Sequence, residues 1–203
     1  NVVQVEEDAV NLSGRLKALA LFAMLAYFMA QGVVWAYLFL IGVSGGLTDQ
    51  QVANGLMLSQ FAGIAGALLA AMIAHRIGRS IPLAIGILGG SLCLYFLVGT
   101  FEFVMFAIAV GVYNFLWNMT HPFLLGAMAS FDRRGRVVVY AVAMQMLGLA
   151  IGPALAASVI SESEYLNVNR LGAMLFVLSF ILILSPVLAQ AKLTGSPVSQ
   201  MVD

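Results

Sequence analysis

Charge is what this sequence has least of. Only 9% of its 203 residues are Asp, Glu, Lys or Arg, against 62% hydrophobic, and the mean hydropathy is +1.01. A soluble domain carries about 25% charged residues. A chain this poor in charge cannot cover itself against water, and its balance is that of an integral membrane protein. Cysteine is nearly absent too. The lone Cys93 excludes an internal disulfide and any multi-cysteine metal site. The two histidines, His75 and His121, are far apart and offer no ligand set, so a membrane-embedded metalloenzyme is not indicated and no cofactor is expected. Nor is either sign of charge in excess: nine basic and nine acidic residues point to neither a nucleic-acid partner nor an acidic ligand.

The opening NVVQVEEDAVNLSGR lacks the basic and apolar regions of a signal peptide. It begins at Asn1 and reads as a connecting loop inside a longer protein, so the chain is expected to be a fragment. Residues 1–14 are assigned to that segment, 15–192 to a membrane bundle and 193–203 to a tail.

What is abundant is long apolar sequence. Six runs, near 18–43, 51–74, 81–99, 103–128, 137–160 and 171–190, approach the roughly 20 residues that a helix needs to cross a bilayer. Short connections make sequential spans antiparallel neighbours. Arg15, Lys17, Arg76, Arg79, Arg133, Arg134, Arg136 and Lys192 all fall on one side by this count, and only Arg170 on the other. The positive-inside rule then puts both termini in the cytoplasm, with the loops at 44–50 and 161–169 outside. No Asp or Glu lies deep in any span.

Polar side chains are costly in lipid, so those present face other helices or a wet cavity. Span one has Gln31, span two Ser59 and Gln60, and span five Gln145; span four has the stretch YNFLWNMTHPFLLG. Spans three and six hold no amide or histidine between their ends. Four spans are therefore expected to line a cavity near the bilayer midplane, with two as peripheral support. Asn114, Trp117, Asn118 and His121 follow i, i+3, i+4, i+7 and form one stripe; Tyr27, Gln31 and Trp35 form another. Aromatic planes beside amides suit an organic solute with polar and apolar parts. The competing reading is that each amide only bonds a neighbouring helix, that the tryptophans only fill space, and that His121 bonds the carbonyl freed by Pro122. Span five adds Gly148, Gly152 and Pro153, a surface for close helix packing followed by a bend.

HRIGRSIPL (75–83) and DRRGRVVVYAVAMQMLGLAIGPALA (132–156) carry a resemblance. The chain resembles the carboxy-terminal half of a major facilitator superfamily transporter. Arg76, Gly78 and Arg79 match the weaker copy of that family's loop signature, from which Ala71, His75 and Ser80 depart. The Gly-Pro run of span five resembles the family's antiporter motif, with Ala156 and Ala157 in place of glycines.

The resemblance implies an all-α membrane protein whose six helices form one half-bundle, corresponding to helices seven to twelve. It implies cavity-lining roles for helices seven, eight, ten and eleven, the pattern that the polar residues show independently. The expected activity is secondary transport of a small organic solute by rocking about a midplane site, with membrane lipid and a missing amino-terminal half as partners. A bacterial inner membrane is the expected location. Cavity contacts are assigned to Gln31, Trp35, Gln60, Asn114, Trp117, Asn118, His121 and Gln145. A cytoplasmic gate is assigned to Arg76, Arg79, Asp132, Arg133 and Arg136. The rival is a non-transporting receptor or assembly subunit on the same scaffold.

Overall fold

In the computed structural model, residues 9–74, 77–160 and 165–194 are described. They form α1 (Gly14–Ser44), α2 (Asp49–Ile73), α3 (Ser80–Cys93), α4 (Phe103–Ser130), α5 (Arg136–Val159) and α6 (Leu166–Thr194). There is no strand among them. Arg76 lies outside the described residues, as do residues 1–8 and 195–203.

Five of these helices are long and apolar enough to cross a membrane. The third is shorter than the apolar run 81–99 suggests. Its 14 α-helical residues tighten into a 3₁₀ turn, Leu94–Phe96, and the chain then passes Gly99 at φ 81. At about 1.5 Å per α-helical and 2 Å per 3₁₀ residue, the two pieces together reach roughly 27 Å, close to the hydrocarbon thickness of about 30 Å. Conversely, α1 and α6 run past the apolar runs that mark them.

Local chemistry sets several ends. Ser13 caps α1 through the Leu16 N–H, and Thr48 and Gln51 form a reciprocal capping box at α2. Gly135, at φ 67, turns the chain into α5 while the Asp132 carboxylate accepts the Arg136 N–H at 3.0 Å. Pro122, Pro153 and Pro186 are all carried inside continuous helices.

The surface is apolar all round, as a bilayer requires: Phe61, Met72 and Ile64 on α2 are more than half exposed, as are Val139 and Tyr140 on α5. The end of α1 preceding Gly14 meets the end of α4, where the Val10 and Leu12 N–H groups bond Ser130 O and Phe131 O. At the opposite end Phe101 N–H bonds Gly45 O, so α1 and α4 run antiparallel.

Packing is uneven. The most extensive contacts join α2 to α4 and α1 to α5, followed by α1 to α6; α3 packs on α4 and α6. By contrast α4 touches α5, and α1 touches α2, only sparingly. The two tight seams share a chemistry. The buried face of α2 is Val52, Gly55, Ser59, Gly63, Gly66 and Ala70; that of α5 is Val137, Ala141, Gly148, Gly152 and Ala156. Apart from one valine on each, these are small residues at helical spacing, which let two backbones approach where apolar burial gives no drive. A Cβ on Gly66 would sit 2.2 Å from Phe115 O, and one on Gly152 would sit 2.7 Å from the Gly32 backbone. The Leu149 carbonyl, whose usual N–H partner Pro153 lacks, lies against Gly32 of α1, 2.9 Å from where a Cβ would be. Close packing here also covers a freed acceptor.

Candidate functional site

The polar stripe of α4 reaches three other helices. Asn114 is buried and its Nδ2 donates to Ser59 O (3.0 Å) and Ser59 Oγ (3.3 Å) on α2. One turn on, Asn118 Nδ2 donates to Asn114 O (2.9 Å) and Asn114 Oδ1 (2.8 Å). The Asn118 Oδ1 then has no protein partner among the described residues. His121 Nε2 faces Gln145 Oε1 of α5 at 3.0 Å, with its ring edge-on to Phe28. Its Nε2 therefore goes to a side chain of α5 and not to a carbonyl freed by Pro122. Trp117 meets Trp35 of α1 edge-to-face, with ring centroids 5.5 Å apart.

The stripe of α1 divides between interior and surface. Gln31 is only 1% exposed and its Oε1 accepts the Tyr113 hydroxyl, so it braces α1 against α4. The Tyr27 hydroxyl is buried with no hydrogen-bond partner of good geometry among the described residues, and its ring packs edge-on to Phe28 and Phe176. Trp35, two turns further along from Tyr27, is 37% exposed.

Gln60 is exposed and its Nε2 donates to Leu56 O of its own helix at 3.3 Å. It shares the wall of a cleft of about 390 Å³ with Gly63, Ile64, Leu68 and Asn118. The amides expected to converge thus fall into three bonded groups: Gln31 with Tyr113, Ser59–Asn114–Asn118 beside Gln60, and His121 with Gln145. The amides, hydroxyls and neutral imidazole of these groups bring no Asp, Glu, Lys or Arg into the cluster. The cleft needs Gly63, because a Cβ there would lie 2.7 Å from Asn118 Nδ2.

Of the residues assigned to a gate, Asp132, Arg133 and Arg136 lie where α4 leads into α5. Asp132 Oδ1 pairs with Lys17 Nζ at 3.3 Å, and its Oδ2 accepts the Arg136 N–H. Desolvation pushes this carboxyl up, but the Arg136 N–H, the hydrogen bond and charge of Lys17, and the Arg134 N–H outweigh it and hold it below the usual carboxylate range. Arg133 Nε donates to Ala9 O at 3.0 Å, fastening the segment before α1. Arg79, at the start of α3, has its Nε 4.0 Å from a Cβ position at Gly126. Among the described residues, no three His, Cys, Asp or Glu side chains are grouped to hold a metal ion.

Several partners escape the sequence reading. Tyr113 follows the stripe spacing, four residues before Trp117, but a tyrosine among apolar residues carries no signal of its bond to Gln31, 82 residues away. Ser59 was visible as a polar residue without a known partner. Lys17 carries only the topological signal of a basic residue before a span. Gly32, Gly63 and Gly66 could have been found by the same small-residue spacing that marks Gly148 and Gly152.

No family model and no curated protein matches the sequence. Among solved structures, the chain is similar to the E. coli fucose:proton symporter FucP, with a TM-score of 0.70 and 18% identity. The match covers 84% of this chain and 42% of the symporter, so the chain spans less than half of that protein's length. With five apolar helices of membrane-crossing length and this likeness, the protein is a multi-pass membrane protein, without strands among its described residues, with a fold similar to that of part of this symporter.

Proposed function

We propose that the chain is the carboxy-terminal half of a secondary transporter that moves a small, uncharged organic solute by alternating access. The observation that carries this reading is the α2–α4 cleft. Asn118 enters its wall with the amide nitrogen satisfied by Asn114 and the Oδ1 left to accept a hydrogen bond. Gln60 offers a second amide in the same wall, and Ile64 and Leu68 supply apolar surface. Such a lining fits a solute with hydroxyl or amide donors and an apolar face. The likeness to a sugar symporter supports the scaffold and makes fucose a sensible first probe. Asp132, Lys17, Arg133 and Arg136, with Arg79 at the start of α3, form the end of the bundle that opens or closes in this reading. The absent amino-terminal half supplies the second wall and any coupling carboxylate, and both termini face the cytoplasm.

The test pairs solute binding with unfolding in the full-length protein, taking fucose and then a panel of neutral sugars as probes. Asn118→Ala should weaken binding by roughly 5- to 150-fold, the consequence of about 1–3 kcal/mol for an unpaired polar group. Leu116→Ala is the counterpart, because Leu116 is buried and packs beside Gly89 of α3. It should lower stability and leave affinity alone. Normal affinity with reduced stability in Asn118→Ala would refute the cavity role.

A further inference from the structure

A second concavity, of about 700 Å³, lies away from the α2–α4 cleft, between the start of α1 and the α4–α5 loop. Its polar end is lined by Lys17, Arg133, Arg134 and Arg136, four cations against the single carboxylate of Asp132. That carboxylate is already engaged, by Lys17 through one oxygen and by the Arg136 N–H through the other. Arg133 is engaged through Nε by Ala9 O. The guanidinium groups of Arg134 and Arg136 are exposed and make no ion pair or hydrogen bond among the described residues. The cavity therefore holds positive charge that the described protein does not neutralise.

The other end is apolar. Leu21 of α1, one turn beyond Lys17, and Val137 of α5 line it, together with Tyr140, one turn beyond Arg136 and 57% exposed. An unneutralised basic end above an apolar channel, at the level where two membrane helices begin, matches an amphiphile with an anionic head. It does not match a freely soluble anion, which has no use for the apolar floor. We propose that this groove binds one anionic phospholipid, its phosphate held by Arg134 and Arg136 with Lys17 behind them, and an acyl chain lying over Leu21 and Val137. Arginine suits the task, since its planar fork can take two phosphate oxygens at once. The first turn of α5 adds its N-terminal dipole to the same phosphate. Basic pockets between membrane helices are a recognised place for such headgroups.

The experiment titrates the full-length protein in dodecylmaltoside with phosphatidylglycerol, phosphatidylcholine or inorganic phosphate, reading the shift in the unfolding midpoint and the lipid retained in native mass spectrometry. Phosphatidylglycerol should give a saturable shift with one retained molecule, and phosphatidylcholine a much weaker one. Arg134→Gln and Arg136→Gln should each weaken the apparent affinity by roughly tenfold or more, and Arg15→Gln, outside the groove, should not. Equal protection of wild type and the double variant by phosphatidylglycerol would overturn the proposal. Inorganic phosphate matching phosphatidylglycerol at equal concentration would also overturn it, by making the site one for soluble anions. So would a double variant equally destabilised with and without lipid, which would assign the arginines to a protein partner such as the acidic run Glu6, Glu7 and Asp8.

Discussion

Replacing Gly66 with alanine adds one methyl group, and the structure says where it must go. The new Cβ would lie 2.2 Å from Phe115 O, 2.9 Å from its carbonyl carbon and 3.1 Å from its Cα. All three are backbone atoms of α4, so no side chain can swing aside. Carbon–oxygen contacts of this kind begin near 3.3 Å, so α2 and α4 must part by about 1 Å. At that separation the 3.0 Å bond from Asn114 to Ser59 O stretches to about 4 Å and is lost. Overpacking costs about 1–3 kcal/mol and the interhelical bond about 0.6 kcal/mol, while helix propensity returns roughly 0.5–1 kcal/mol. The net is a destabilisation of roughly 0.5–3 kcal/mol. Gly111→Ala is the control on the same helix pair. Its nearest neighbour would be Ala62 Cβ at 3.9 Å, ordinary contact, so only the propensity gain of about 0.5–1 kcal/mol should appear. Unfolding in mixed micelles, titrated with sodium dodecyl sulfate and followed by circular dichroism, would compare the two. If Gly66→Ala proves as stable as Gly111→Ala, the glycine seam is not what holds α2 on α4, and the reasoning fails.

The depressed Asp132 carboxyl makes a pH prediction. Its contribution to stability is complete above the unfolded carboxylate value of about 3.9 and is lost as pH falls through the lower folded value, so Asp132→Asn should flatten the acid limb of the stability curve. An acid limb unchanged in Asp132→Asn would contradict this. A double-mutant cycle on His121→Ala and Gln145→Ala should give a coupling near 0.6 kcal/mol and no more than about 1.7, the range for such bonds in membranes, and zero coupling would deny the bond. Orientation is checked in a Cys93→Ser background with an impermeant thiol reagent on intact cells. Gln50→Cys should label and Arg134→Cys should not; the reverse pattern would invert the proposed topology.

The spans and the face of α4 were legible in the sequence because both are local. Hydropathy over about 20 residues marks a span, and Asn114, Trp117, Asn118 and His121 share a face at any helix geometry close to ideal. What those side chains bond to was not legible. Gln31 and Tyr113 meet across 82 residues, and nothing in either neighbourhood distinguishes a buried brace from a cavity wall. The end of α3 was hidden for another reason. Apolar residues continue to Val98, so hydropathy cannot register that the backbone has already tightened at Leu94. The face of α2 is intermediate. Gly55, Ser59, Gly63, Gly66 and Ala70 lie at helical spacing in plain view, but small residues score weakly on hydropathy, so only the polarity of Ser59 stands out on that face, beside Gln60.

The uneven seams have a mechanical consequence. At Gly66 of the α2–α4 seam, and at Gly32, Gly148 and Gly152 of the α1–α5 seam, backbone meets backbone, and there is no side chain there whose rotation could absorb a displacement. Each pair must translate or tilt as one stiff beam. The direct contact between the beams is thin, at α4 against α5 and α1 against α2, and the His121–Gln145 and Gln31–Tyr113 bonds act as ties across the joint. A strain gauge placed on this molecule would therefore read almost nothing along either glycine seam. It would read more across the joint, in the distances from His121 to Gln145 and from Gln31 to Tyr113.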